Sequence, residues 1–434
     1  MPFFLLLIMG FAVFILVGAV LLALPESSAA GDFTSPVDAL FTATSAVTVT
    51  GLAVVTTGDY WSPFGQAVIL VLIQLGGLGF MVMSSILLIL AGQRVSWRDF
   101  RLRDALGTTG GKGFARLVLK TLAITVVFEG LGTFLLWTRF QGQMTPEEDW
   151  WQAAFHAISA FNNAGFDIIR GGQGMVAYRG DTFFLAVVML LIFFGGLSAP
   201  VIVEMVTHRG WSRLSLDAKL ALSATAGLLA LGALGVFFLE YSGSLGDMPL
   251  PDKALNAFFT SVTARTAGFS TLDLGAFSQQ ALFLMAALMF VGGVSGSTAG
   301  GIKVNTFTAL VVTAFSYVTG RRNVSAFGRE IPEGQVHQAI AVALLSGLTV
   351  YVASMVLTFT ESASFLSLSF ESVSAFGTVG LTTGVTPTLS LPGRLIITVA
   401  MFVGRLGPLT IALALTERQK GEAARYPEEP IRVG

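Results

Sequence analysis

Four short segments of the 434-residue chain carry the residue types from which an ion pathway can be built: TVTGL, NNAGF, RTAGF and GTVGL. Their glycines, Gly51, Gly165, Gly268 and Gly380, stand 114, 103 and 112 residues apart. Ten positions before each is a phenylalanine (Phe41, Phe155, Phe258, Phe370), and six before it Ser45, Ser159, Val262 or Ser374. Non-helical backbone at membrane depth survives only where protein buries it or water reaches it. Rings of carbonyl oxygens can replace the hydration shell of an alkali cation, and glycine reaches positive φ without a Cβ clash. One glycine in an apolar run is a packing or turn residue. Four in register, each ending a short semi-polar stretch, read as the lining of a shared pore.

A second constellation is the run VGGVSGSTAGGIK, with Gly292, Gly293, Ser295, Gly296, Ser297, Thr298, Gly300, Gly301 and Lys303. It interrupts an apolar stretch over 281–318, too long for one crossing, and cannot make a stable lipid-facing helix. Broken helices are tolerated where they line a cavity, so a polar loop across the conduction path is the expected gate. Arg405 takes the place of the second glycine in the series Gly76-Gly77, Gly195-Gly196, Gly292-Gly293 and Gly404-Arg405. It is expected to point inward near that loop, as a barrier to cations or a pin on the loop. Lys303 either binds loop polar groups or snorkels. Arg265 and Glu371, on the third and fourth short stretches, are expected to support the filter through a salt bridge behind it. Glu129 and Glu204 are read as partners of the buried cations. The other glycine pairs are read as helix packing.

Two enzyme-like signals fail. GSTAGGIK misses the phosphate-loop spacing because Ile302 separates Gly301 from Lys303. Ser295 as an intramembrane nucleophile needs a base, and His156, His208 and His337 are all expected elsewhere. The chain is read as a non-enzyme without metal or cofactor sites, apart from the transported ion.

These residues must be held by elements the composition makes plain. The chain is 53% hydrophobic and 12% charged, with mean hydropathy +0.76 and no cysteine. Soluble domains carry roughly 25% charged residues. Spans are expected at 3–24, 65–92, 115–137, 182–206, 218–240, 281–318, 336–360 and 393–416, the first being a retained helix rather than a leader. Between them lie stretches too short to cross, at 35–50, 148–163, 251–266 and 363–378, which read as re-entrant. The expected fold is an all-α polytopic membrane protein with eight spans. Four pseudo-fourfold repeats of span, re-entrant pore helix, filter strand and span surround one central pore. Repeats cover 1–100, 101–212, 213–325 and 326–416, followed by a cytoplasmic tail over 417–434. Arg94, Arg98, Arg101, Arg103, Arg213, Arg321 and Arg329 crowd one face, opposite Asp38, Asp59, Glu147, Glu148 and Asp252. Positive-inside logic places that face and both termini in the cytoplasm.

On these motifs and the late FVGRLGPL, essentially the whole chain resembles the Trk/Ktr/HKT superfamily of potassium transporters, most of all its bacterial KtrB-type membrane subunits. The resemblance implies potassium uptake through a filter of backbone carbonyls at Val49-Thr50-Gly51, Asn163-Ala164-Gly165, Thr266-Ala267-Gly268 and Thr378-Val379-Gly380. It also implies a gate at Gly292–Lys303 with Arg405 as pore barrier, and sodium as an activator. A homodimer in the cell inner membrane, bound to a cytoplasmic nucleotide-binding ring of the KtrA-like RCK kind, is implied as well. No nucleic acid partner is expected. A sodium- or proton-coupled carrier is the alternative; carriers use side-chain sites at midplane helix breaks, whereas the backbone repeats favour a channel-like path.

Overall fold

Hydroxyl and acidic caps start the helices that matter most. Ser62, Asp181, Ser278 and Ser390 each accept a hydrogen bond from the backbone amide three residues on, satisfying donors the first turn leaves free. The structure, a computed structural model, describes residues 3–78, 111–172, 174–208, 210–321 and 323–407. The far part of the expected 65–92 span, Arg94, Arg98, Arg101, Arg103, and the tail over 417–434 lie outside the described residues.

The described chain is mostly helical: α1 (Phe3–Ala23), α2 (Pro36–Val47), α3 (Thr57–Tyr60), α4 (Pro63–Gly77), α5 (Gly111–Phe140), α6 (Pro146–Phe161), α7 (Thr182–Gly196), α8 (Ala199–Thr207), α9 (Leu216–Leu239), α10 (Leu250–Thr263), α11 (Gln279–Phe290), α12 (Val304–Val318), α13 (Glu333–Thr360), α14 (Phe365–Gly377) and α15 (Leu391–Leu406). A small antiparallel hairpin, β1 (Ser325–Ala326) and β2 (Arg329–Glu330), joins α12 to α13. Within α5, α9 and α13 lie stretches long and apolar enough to cross a membrane: Val118–Phe140, Leu216–Leu239 and Glu333–Thr360.

The expected span over 182–206 is broken. The segment 182–206 is not straight, because α7 and α8 meet at 101° across Leu197–Ser198. Pro200 lies in the first turn of α8; it lacks an N–H and disfavours helical backbone at the residue before it. The 281–318 run breaks as its glycines suggest, α11 ending at Phe290 and α12 starting at Val304.

The same packing step recurs around the molecule. The helix after each short helix leans on the next short helix: α4 on α6, α7 on α10, α11 on α14, and α15 back on α2. That last contact joins the two ends of the described chain. It is clasped by an ion pair between Asp38 on α2 and Arg394 on α15. The helices α4, α7 and α15 also pack on the short helix before them, and that close approach depends on Gly76, Gly195 and Gly404. A Cβ on any of them would run into the backbone carbonyl of Val47, Phe161 or Phe376, four residues before each motif glycine.

Candidate ion pathway

Each short helix delivers its chain to one point. The four motif glycines have φ of +87°, +71°, +81° and +94° at Gly51, Gly165, Gly268 and Gly380. Two residues before each, a residue with a side chain is also left-handed: Val49 at +57°, Asn163 at +56°, Thr266 at +74° and Thr378 at +48°. Such a conformation costs a side-chain-bearing residue on the order of 1–3 kcal/mol. Among the described residues only Phe327 shares it outside this set. The strain is concentrated at one register position.

The glycines face one another in cyclic order. A Cβ on Gly51 would collide with the Ala164 carbonyl, on Gly165 with that of Ala267, on Gly268 with that of Val379, and on Gly380 with that of Thr50. It would also lie only 2.9 Å from Gly165 Cα at Gly51, and 3.2 Å from both Gly51 and Gly268 Cα at Gly380. The backbones of four separate segments thus converge on one axis with no room for a side chain.

Register in the third segment departs from the sequence reading. Thr50, Ala164 and Val379 amides donate to the carbonyls of Ser45, Ser159 and Ser374, five residues back. The equivalent amide of Ala267 donates to Thr263, only four back. The Thr263 hydroxyl donates to Phe269 O at 2.7 Å, as Ser159 does to Phe166 O. The connection from α10 to its glycine is therefore one residue shorter. Phe259, not Phe258, is the buried partner of Phe41, Phe155 and Phe370, and Phe258 is 42% exposed. Thr263, not Val262, matches the serines.

The loop between α11 and α12 lies against this ring. A Cβ on Gly300 would strike the Thr378 side chain, and one on Gly292 would sit 3.4 Å from Thr266 Cγ2. The Asn163 amide meets the Thr298 hydroxyl at 3.0 Å, and that hydroxyl donates to Gly195 O at 2.8 Å. Three of the four left-handed residues therefore touch the loop. Val294 N donates to Gly196 O, and Gly292 N to Ile302 O. Gly293 and Ser297 pack together, Gly296 and Gly301 are left-handed, and Ser295 N donates to Asn305 Oδ1.

Three cations hold the loop. Arg405 donates from its two terminal nitrogens to Thr298 O and Gly76 O. Arg265 donates to Gly292 O at 2.7 Å, and Lys303 donates to Ala299 O. Three readings need correction. Among the described residues there is no ion pair between Arg265 and Glu371. Arg265 lies three residues before its glycine, in the turn after α10, and Glu371 nine before its own, within α14, so they sit at different heights. The Glu371 carboxylate instead takes Thr382 and Thr386 hydroxyls and the Thr383 amide and hydroxyl, at 2.5–3.1 Å. Glu129 pairs with Gln74 and Asn162, and Glu204 with the Ser215 amide, rather than with buried cations. The threonines after GTVGL were legible as polar residues beside the motif, but their carboxylate was not.

A model of the TrkH cation transport protein family matches residues 4–423. The chain belongs to this family. It is 39% identical over 99% of its length to the Ktr system potassium uptake protein B of Bacillus subtilis, covering 96% of that protein. It is equally identical to the protein of that name from Vibrio alginolyticus, over 99% of this chain and 94% of that one. The potassium/sodium uptake protein NtpJ of Enterococcus hirae is 38% identical over 98% of this chain and 96% of that protein. The fold resembles the crystal structure of the potassium transporter TrkH from Vibrio parahaemolyticus, with a TM-score of 0.73 over 94% of this chain, 84% of that one and 21% identity. This is a membrane transport protein, not an enzyme. Ser295 has no histidine beside it: His156 bonds Gln152 O, and His208 and His337 lie by Thr207 and Glu333.

Proposed function

We propose that the protein takes up potassium through a channel-like pore whose filter is the carbonyl ring at Val49–Gly51, Asn163–Gly165, Thr266–Gly268 and Thr378–Gly380. The observation that carries this reading is the closed glycine ring, in which each Cα lies where a neighbouring segment's carbonyl leaves no room for a Cβ. Backbone oxygens brought that close can stand in for water around a dehydrated cation. Potassium is favoured by the names of the 39%-identical relatives.

Eight spans arranged as four repeats, over 1–100, 101–212, 213–325 and 326–416, fit the recurring packing step. Gly292–Lys303 is the gate: it touches the ring directly, and its Gly296, Ser297 and Thr298 line a small cavity together with Thr125, Phe161 and Leu197. Arg405 is both barrier and pin. Arg265 anchors the loop, and Glu371 steadies the outer end of the fourth strand. The membrane potential drives entry, at about 2.3 kcal/mol per charge per 100 mV. The name potassium/sodium uptake protein of one relative supports sodium as activator, and the word "system" in others supports a partner subunit, read as a nucleotide-binding ring. A homodimer in the inner membrane with cytoplasmic termini completes the proposal.

Rubidium uptake into liposomes holding the purified chain, with and without an imposed potential, tests it. Uptake that follows the potential and is blocked by potassium supports the reading. Uptake indifferent to potential, or equal for sodium and rubidium, overturns it.

A further inference from the structure

The loop between α11 and α12 is tied to two spans by a side-chain relay that the pathway does not use. Val304 N, at the start of α12, donates to Gly293 O at 2.9 Å. Asn305, the next residue, turns its side chain back and takes the Ser295 amide on Oδ1 at 3.2 Å. Its Nδ2 donates to Asp217 Oδ1 on α9, a residue 88 positions away in the chain. One amide thus joins the loop to a separate span, and α9 and α12 pack on one another.

The direction of that bridge is fixed chemically. A carboxylate only accepts hydrogen bonds, whereas an amide side chain has a donating and an accepting end. Asp217 therefore holds the nitrogen of Asn305 toward α9 and presents its oxygen to Ser295. Asp217 is free for this task because Ser215 caps α9, accepting from Ala218 N at 3.1 Å. Glu204, a neighbouring carboxylate, is taken by the Ser215 amide. The bridge also lies at the surface: Ser295, Gly296 and Asp217 are exposed. Other grips on the loop from separate segments fall on its buried or half-buried residues. Thr298 meets Asn163 and Gly195, Val294 meets Gly196, and Arg265 and Arg405 reach Gly292 and Thr298. Water can replace an exposed hydrogen bond at little cost, so this contact can open while the buried anchors hold.

We infer that Asp217 and Asn305 are positioning residues for the gate, a latch on the exposed edge of the loop, an inference that rests on the reading of Gly292–Lys303 as that gate. A shift of α9 against α12 draws the carboxylate from the amide, lets the Asn305 side chain turn, and releases Ser295. The latch sets how often the loop leaves the ring.

Rubidium leak into liposomes holding the full-length chain, without a partner protein, tests the latch. Asn305→Leu, similar in size, removes both hydrogen bonds and is expected to raise the leak by about three- to tenfold, the population shift that one or two exposed hydrogen bonds can hold. Asn305→Asp sets two carboxylates against each other and should leak at least as much. Adding Asp217→Asn to it again opposes an amide to a carboxylate, and the leak is expected to return to within about twofold of the unaltered chain. A loss of packing alone would not be repaired by that exchange. Should Asn305→Leu not fold, Asp217→Ala supplies the comparison. An unchanged leak in the folded single variants, or a double variant that leaks as much as Asn305→Asp, overturns the latch. Arg405→Ala separates the two readings. If it leaks while the latch variants do not, the gate stands and the latch falls; if none leaks, both fall.

Discussion

Arg405 and Thr298 are joined by a hydrogen bond from a guanidinium nitrogen to the backbone carbonyl of the loop that lies against the glycine ring. The second terminal nitrogen reaches Gly76 O on α4. One side chain at the end of α15 therefore ties the loop to α4. Both acceptors are main-chain oxygens, so the fork geometry of arginine matters as much as its charge.

Arg405→Ala is expected to raise cation leak several-fold, because it removes the charge and frees Thr298. Arg405→Lys keeps the charge but loses the fork, and should leak at an intermediate rate. Liposome flux without a partner protein measures both. A fall in flux for folded Arg405→Ala would be the opposite sign and would remove Arg405 from the barrier.

Gly51→Ser places a Cβ against the Ala164 carbonyl at a φ of +87°. The ring must widen or distort to accept it. Rubidium-over-sodium selectivity is expected to fall by about tenfold, the equivalent of 1.4 kcal/mol. Relative uptake of the two ions reads this directly, and an unchanged ratio counts against the filter assignment.

Gly195→Leu drives a side chain into the Phe161 carbonyl at the α6–α7 contact. Overpacking of that kind is expected to cost about 3 kcal/mol or to prevent folding. Gly130→Ala on α5, where a Cβ meets nothing within 4 Å, should leave the unfolding midpoint unchanged or slightly raised. Thermal unfolding in detergent compares the two.

Asp167, in the connection beyond Gly165 and outside the spanning helices, has its carboxyl pushed up to about 6, mainly by burial and further by the Asp59 carboxylate. A raised carboxyl pKa means the charged form is disfavoured in the fold. Stability is therefore fully present below the ordinary value near 3.8 and declines as pH rises through about 6. The unfolding midpoint is expected to fall between about pH 4 and 6, and Asp167→Asn should flatten that fall. A slope equal in both proteins would show that another group titrates.

The register of the four glycines could be read from the sequence because glycine is the one residue these positions accept. Their neighbours could not be read so far. Phe258 and Phe259 are both apolar and adjacent, and only the shorter turn after Thr263 turns the second of them inward. Arg265 and Glu371 are opposite charges in neighbouring short stretches, which suggested a pair, but Arg265 lies just past the end of α10 and Glu371 within α14. Their different heights, and the three threonines beyond Gly380, gave each a different partner.

The sequence by itself determined that the chain lives in a membrane, that four copies of one motif recur, and that a glycine-rich break and a late arginine belong with them. Those signals are local: hydropathy, spacing and the special backbone freedom of glycine. Only the tertiary structure decided that the four strained residues at Val49, Asn163, Thr266 and Thr378 share one register, and that the loop bears on three of them. Contacts between segments about a hundred residues apart depend on helix height and rotation. A one-residue change in a connection alters both.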